Sequence, residues 1–218
     1  TVTSVGTAVY FGGGFSSVGL GNSILPVNRL ARYETTTRTW SRVGNGTGNG
    51  TNEFIFTLAA LGTDLYLGGI FTAVNEGGSS IAANGIARFD TTRNVWSPLG
   101  TGGGNGVDEV VSSLQIIGTD LYVGGIFSNV NIGGAKVAAR NIARFDTLNS
   151  TWSRLGSGGG DGVDDTGVST MAVIGPDLYV GGYFTTVNIG GAPVVANRVA
   201  KYSPATGIWS PLVDLDGG

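Results

Sequence analysis

The 218-residue chain contains no cysteine and no histidine. The first absence removes disulfides, thiolate metal sites and cysteine nucleophiles. The second removes the commonest general base and the imidazole metal ligand, so Ser-His-Asp and Cys-His arrangements cannot be built. Charge is scarce too: Asp, Glu, Lys and Arg make up 12% of the chain, about half the globular average. A net charge of −3 leaves no basic stripe for a phosphate backbone, so nucleic acid is not an expected partner. No run nears the roughly 18 apolar residues of a membrane-spanning helix, and no basic segment followed by an apolar one opens the sequence. No membrane insertion is therefore expected. Thr1 is not an initiating Met, and the chain runs from one repeat start to one repeat end, the pattern of a processed form or an excised domain.

What is present is repetition. Trp40, Trp96, Trp152 and Trp209 stand 56, 56 and 57 residues apart, and each closes a copy of one unit. The unit reads Leu65-Tyr-Leu-Gly-Gly-Ile-Phe71, a loop, Ile86-Ala-Arg-Phe-Asp90 and Trp96-Ser-Pro-Leu99, and it returns from Leu121, Leu178 and Val9. Such a period marks a stacked or closed array of one supersecondary unit. With 41% hydrophobic residues the chain has enough to bury a core, despite 40 glycines.

In the third copy, Val111 to Ile117 and Leu121 to Phe127 are β-branched apolar runs flanking Gly118-Thr-Asp120, which predicts a hairpin. Ser128 to Asn141 reads as a polar loop, Ile142 to Asp146 as a third strand, Thr147 to Ser150 as a tight turn and Trp152 to Leu155 as a fourth strand. No segment has capped 3.6-residue periodicity, so no helix is expected. The glycine pairs Gly12-Gly13, Gly68-Gly69, Gly124-Gly125 and Gly181-Gly182 predict close backbone approach or a bulge.

An apolar strand ending in Gly-Gly, then an aromatic and a Trp seven positions on, resembles the kelch repeat: Tyr33 with Trp40, Phe89 with Trp96, Phe145 with Trp152, Tyr202 with Trp209. Leu178 to Asn188 with Asn197 to Tyr202 also resembles the delta-sixty type of propeller repeat. The resemblance implies an all-β fold, a β-propeller of four kelch-like four-stranded antiparallel blades, as a closed four-bladed ring or half of an eight-bladed one. The whole chain, 1–218, is then one domain, with blades at approximately 1–50, 51–106, 107–165 and 166–218.

In such a blade the short turns lie on one face and every long segment on the other, where binding usually lives. The pattern Asn49-Gly-Thr-Asn52-Glu53, Asn105-Gly-Val-Asp108-Glu109 and Asp161-Gly-Val-Asp164-Asp165 recurs there. Asn105, Asp108, Glu109, Asp161, Asp164 and Asp165, with the recurring Asn75, Asn131 and Asn188, form the candidate ligand-binding set. Asp161, Asp164 and Asp165 are the candidates for a calcium ion, which prefers oxygen ligands on glycine-containing turns; equally, Asn-Gly and Asp-Gly make tight turns that acids cap. Asn45, Asn49 and Asn149 head Asn-Xaa-Ser/Thr triplets, glycan acceptors on a eukaryotic secretory route.

The recurring Arg32, Arg88, Arg144 and Lys201 are expected to pair with neighbouring carboxylates, and the tryptophans to pack. Copper chemistry of the galactose-oxidase kind lacks its His and Cys, and no Ser-x-Asp-x-Gly-x-x-Trp signature of sialidases occurs. No enzyme activity and no cofactor are expected. The expected role is an extracellular or cell-surface structural, adhesive or assembly module, whose partner is itself as a homo-oligomer or fibre. The alternative is a propeller lectin whose partners are surface glycans.

Overall fold

The computed structural model describes residues 1–164 and 167–212. The fold is all-β, with no helix among the described residues and four four-stranded antiparallel sheets, none closed into a barrel. The first sheet comprises Val2–Val5, Ala8–Gly12, Leu30–Glu34 and Thr39–Arg42. The second comprises Ile55–Leu61, Asp64–Gly69, Ile86–Asp90 and Val95–Pro98. The third comprises Val110–Ile117, Asp120–Ile126, Ile142–Asp146 and Thr151–Arg154. The fourth comprises Val168–Ile174, Asp177–Gly182, Val199–Ser203 and Ile208–Pro211. Within each sheet the strands pair in chain order.

Successive sheets pack on one another chiefly through their first strands, and among the described residues no comparable contact joins the first sheet to the fourth. Strand alternation serves two interfaces at once. In Asp64–Gly69, Leu65 and Leu67 join a core shared with the first sheet, while Tyr66 joins the core shared with the third. A third core of the same kind lies between the third and fourth sheets. Burial on both sides explains why these strands are continuous apolar runs rather than alternating ones.

The seven-residue interval from aromatic to Trp is a hairpin register. Tyr33 pairs with Trp40, Phe89 with Trp96, Phe145 with Trp152 and Tyr202 with Trp209 across adjacent third and fourth strands. Their rings tilt against each other at centroid distances of 4.7 to 5.0 Å, a geometry that contributes about 0.5–1.5 kcal/mol beyond area burial.

Both expectations for the glycine pairs hold. The first strands carry register shifts at Ile55/Thr57, Val111/Ser113 and Val168/Thr170. In the three sheets that carry the bulge, the second glycine lies under it, so that a Cβ on Gly69, Gly125 or Gly182 would collide with the Phe54, Val110 or Gly167 carbonyl oxygen; Gly13, in the first sheet, meets only the Phe15 ring. The first glycine is a socket for the next sheet: a Cβ on Gly12 or Gly124 would stand 2.7 Å from Ile55 Cγ2 or 2.6 Å from Val168 Cγ1.

One segment expected as loop contains further strands. Between Ser128 and Asn141, Asn129–Val130 pairs with Val137–Ala138, and equivalent hairpins occur at Thr186–Val187 with Val194–Val195 and at Ala73–Glu76 with Ile81–Ala82. Each has one pair of apolar residues facing each other, Val130 with Val137, Val187 with Val194 and Val74 with Ile81, and the polar and glycine residues around them mask the period-2 signal.

Candidate functional site

The short turns do gather on one face. Thr35, Thr91 and Thr147 each donate backbone N–H and side-chain O–H to the carbonyl of Thr7, Thr63 and Thr119, lacing the two turns of each sheet together. Asp90 and Asp146 accept side-chain bonds from the Thr92 hydroxyl and Asn149 Nδ2 and, beside these, backbone N–H bonds from Thr92, Arg93, Leu148 and Asn149, and together these donors outweigh burial and hold both carboxyls below the usual range. The recurring cations form the expected pairs, Arg88 with Asp64 at 2.8 Å, Arg144 with Asp120 at 2.8 Å and Lys201 with Asp177 at 3.1 Å. In the first sheet Ala8 stands where those aspartates stand, and Arg32 pairs with Glu34 instead.

On the opposite face the long segments meet, and the described candidate residues lie there at the junctions between sheets, Asn75 alone at the first and several together at the second and third. Asn75, Asn131 and Asn188 are buried and left-handed, at φ of 62°, 61° and 60°. Asn is among the few residues that tolerate that conformation. Their Oδ1 atoms accept the backbone N–H of Asn45, Thr101 and Ser157 at 2.7 to 2.8 Å, and their Nδ2 atoms donate to the carbonyls of Ser79, Ala135 and Ala192. Each amide thus clamps the loop leaving one sheet onto the hairpin of the next.

Asp108 and Asp164 perform a second repeated task, shared with Asn52. Asp108 Oδ1 accepts the N–H of Ser128 and Asn129, and Oδ2 accepts from Asn129 Nδ2. Asp164 accepts the N–H of Thr185 and Thr186 and the Thr185 hydroxyl. Burial raises both carboxyls, but these donors outweigh it and leave both below the ordinary value of 3.8. Asn52 Oδ1 accepts from Thr72 and Ala73 in the same way.

Asn105 Oδ1 accepts the Asn84 N–H at 2.6 Å. At the next junction the corresponding positions are Asp161 and Arg140, which form an ion pair at 3.4 Å. This pair and exposed Glu109 line a cavity of about 600 Å³, with Ser128, Phe127 and Asp164 completing its wall. Glu109 also borders a smaller cavity of about 190 Å³ beside Asn84 and Asp108. Arg140 was not among the residues singled out by sequence. Its signal was available as the one departure in the series Asn28, Asn84, Arg140 and Asn197, matched by Asp161 in the series Asn49, Asn105 and Asp161.

Asp165 lies outside the described residues. Among the described residues no group of three or more acidic, His or Cys side chains is placed to hold a metal. Of the glycan acceptors, Asn45 is exposed on the long-loop face, whereas Asn149 is on the short-turn face with Nδ2 donated to Asp146. Asn49 is 7% exposed and offers a glycan no room.

No family model matches the chain, and no curated relative was found. Solved structures of similar fold are numerous, 110 chains in all, so the likeness carries no particular function. One is the crystal structure of the extracellular domain of a putative one-component system from B. thetaiotaomicron. It superposes with a TM-score of 0.54 at 12% identity, over all of this chain and 22% of that one. The likeness is one of fold.

Proposed function

We propose that the chain is a non-catalytic structural module acting outside the cell, with its four sheets arranged as kelch-like blades of a β-propeller. The observation that supports this role most is the use of the recurring polar residues. The Asn75, Asn131 and Asn188 amides and the Asp108 and Asp164 carboxylates spend their hydrogen-bonding groups on the protein's own backbone. Groups so committed build a rigid scaffold rather than receive a ligand. The absence of histidine and cysteine and the low charge fit the same role, as does the extracellular setting named for the structural neighbour.

The alternative, a lectin, is favoured by one feature, the cavity with Glu109, Arg140 and Asp161 on its wall. A glycan array with millimolar sugar competition separates the two. The structural module captures no glycan; competable capture that is lost in Arg140→Ala would establish the lectin.

A further inference from the structure

The two ends of the sheet array leave exposed the positions that the three inner junctions bury. Where a sheet is followed by another, its trailing side is sealed: Leu30, Ile86 and Ile142 are 0% exposed, and Val43, Leu99 and Leu155 are 1–2% exposed. The same positions in the fourth sheet are Val199 and Leu212, which are 44% and 46% exposed. The leading side of the first sheet shows the converse. Trp96, Trp152 and Trp209 are buried against the preceding sheet, yet Trp40 is only half-buried, as are Phe11 and Tyr33 beside it.

Polar contacts follow the same series. At the three junctions a hydroxyl in, or just before, one first strand accepts the backbone N–H of the next: Thr1 from Leu58 at 3.2 Å, Thr57 from Leu114 at 3.1 Å, Ser113 from Met171 at 3.1 Å. The fourth hydroxyl is that of exposed Thr170. The position matching Leu58 in the first sheet is Val2, 59% exposed. Beside Thr170, the fourth glycine socket at Gly181 meets, among the described residues, no side chain of another sheet, and a cavity of about 200 Å³ opens there between Tyr179, Val199 and Leu212.

We infer that the outer face of the fourth sheet docks the leading face of the first sheet of a second copy of this chain, repeating the junction already made three times within it. Placed in that way, the second copy brings its Val2 N–H to Thr170 Oγ1 and lays its Phe11, Tyr33 and Trp40 over Val199 and Leu212. The complementary face stands on the same molecule but is not engaged by it: among the described residues the first and fourth sheets lack the contact that joins successive sheets. The contact is heterologous, so it propagates as a ring or an open array. This partner rests on the structural role proposed above and names what the module assembles with.

Sedimentation velocity on the wild-type chain and on Leu212→Lys and Val2→Lys tests it, with far-ultraviolet circular dichroism to verify that both exposed substitutions leave the fold intact. Wild type is expected at two or more times the 22.1 kDa monomer mass, and each variant alone as monomer. An equimolar mixture of the two is expected to recover a dimer and nothing larger, because one intact face of each kind remains. A monomeric wild type, a Leu212→Lys variant that assembles like wild type, a Val2→Lys variant that still dimerises, or a mixture that stays monomeric would each overturn head-to-tail docking. None of these outcomes touches the structural role itself, which stands or falls on glycan capture.

Discussion

Asn131 holds Thr101 across thirty residues of chain: its Oδ1 accepts the Thr101 N–H at 2.8 Å while its Nδ2 donates to the Ala135 carbonyl at 3.0 Å. Two requirements meet at this one residue, a polar side chain that satisfies buried backbone groups and a backbone at φ 61°. Asn131→Ala loses both and is expected to cost about 2–4 kcal/mol, from bonds left unmade and from a left-handed backbone that alanine, without the short polar side chain of Asn, adopts less readily. Asn131→Gly keeps the backbone free and loses only the bonds, for a cost of about 1–3 kcal/mol. Urea midpoints of the two variants separate the contributions, and equal losses would remove any backbone share.

Gly124 and Gly181 occupy the same position in successive sheets but face different surroundings. A Cβ at Gly124 meets Val168 Cγ1 at 2.6 Å, inside a closed junction, whereas at Gly181 the nearest atom is Thr170 Cγ2 at 3.2 Å beside an open face. Gly124→Ala is expected to cost about 1–3 kcal/mol by overpacking. Gly181→Ala is expected to cost less than about 0.5 kcal/mol, as surface substitutions do. Thermal melting of the two variants, each in the monomeric Leu212→Lys background where that face stays open, checks the contrast, and a Gly181→Ala loss as large as that of Gly124→Ala would contradict it.

Much of this architecture was legible because each repeat carries its tertiary contacts as fixed intervals. The interval between Phe145 and Trp152 is a hairpin register, and Gly124-Gly125 encodes both a bulge and a socket. The role of Asn131 was harder to read. A recurring Asn in a long loop looks the same in sequence whether it awaits a ligand or clamps a backbone, and only its burial and its bond to Thr101 decide. The Arg140 with Asp161 pair was visible only by comparing repeats for compensating departures, since neither residue is unusual alone.

Thr57 Oγ1 accepts the Leu114 N–H between the second and third sheets. A bulge in the first strand, at Val111/Ser113, precedes that amide. Thr57→Val keeps the shape and removes the acceptor, with an expected cost of about 1–2 kcal/mol for a partly buried N–H left without it. Thr57→Ser retains the bond and is expected to stay within about 0.5 kcal/mol of wild type. Native-state hydrogen exchange at Leu114 gives a second readout: protection falls in Thr57→Val and persists in Thr57→Ser.

The depressed carboxyls set an acid limit on stability. Asp108 and Asp164 bind protons less readily when folded than the ordinary value of 3.8 would give, because loop amides and side chains donate to the charged form against the effect of burial. Their contribution is therefore complete above the ordinary value and is lost as pH falls through the folded one, so Tm is expected to decline between about pH 5 and pH 2. Asn52 shows that a neutral acceptor can do the same work at the first junction. In an Asp108→Asn/Asp164→Asn variant the Asn129 amide can turn over to meet the new Nδ2. The decline is then expected to be shallower than in wild type, with a remainder from Asp90, Asp146 and Glu34, which are also held low. An unchanged slope of Tm against pH would show that the two loop carboxylates do not couple protonation to the junctions they clamp.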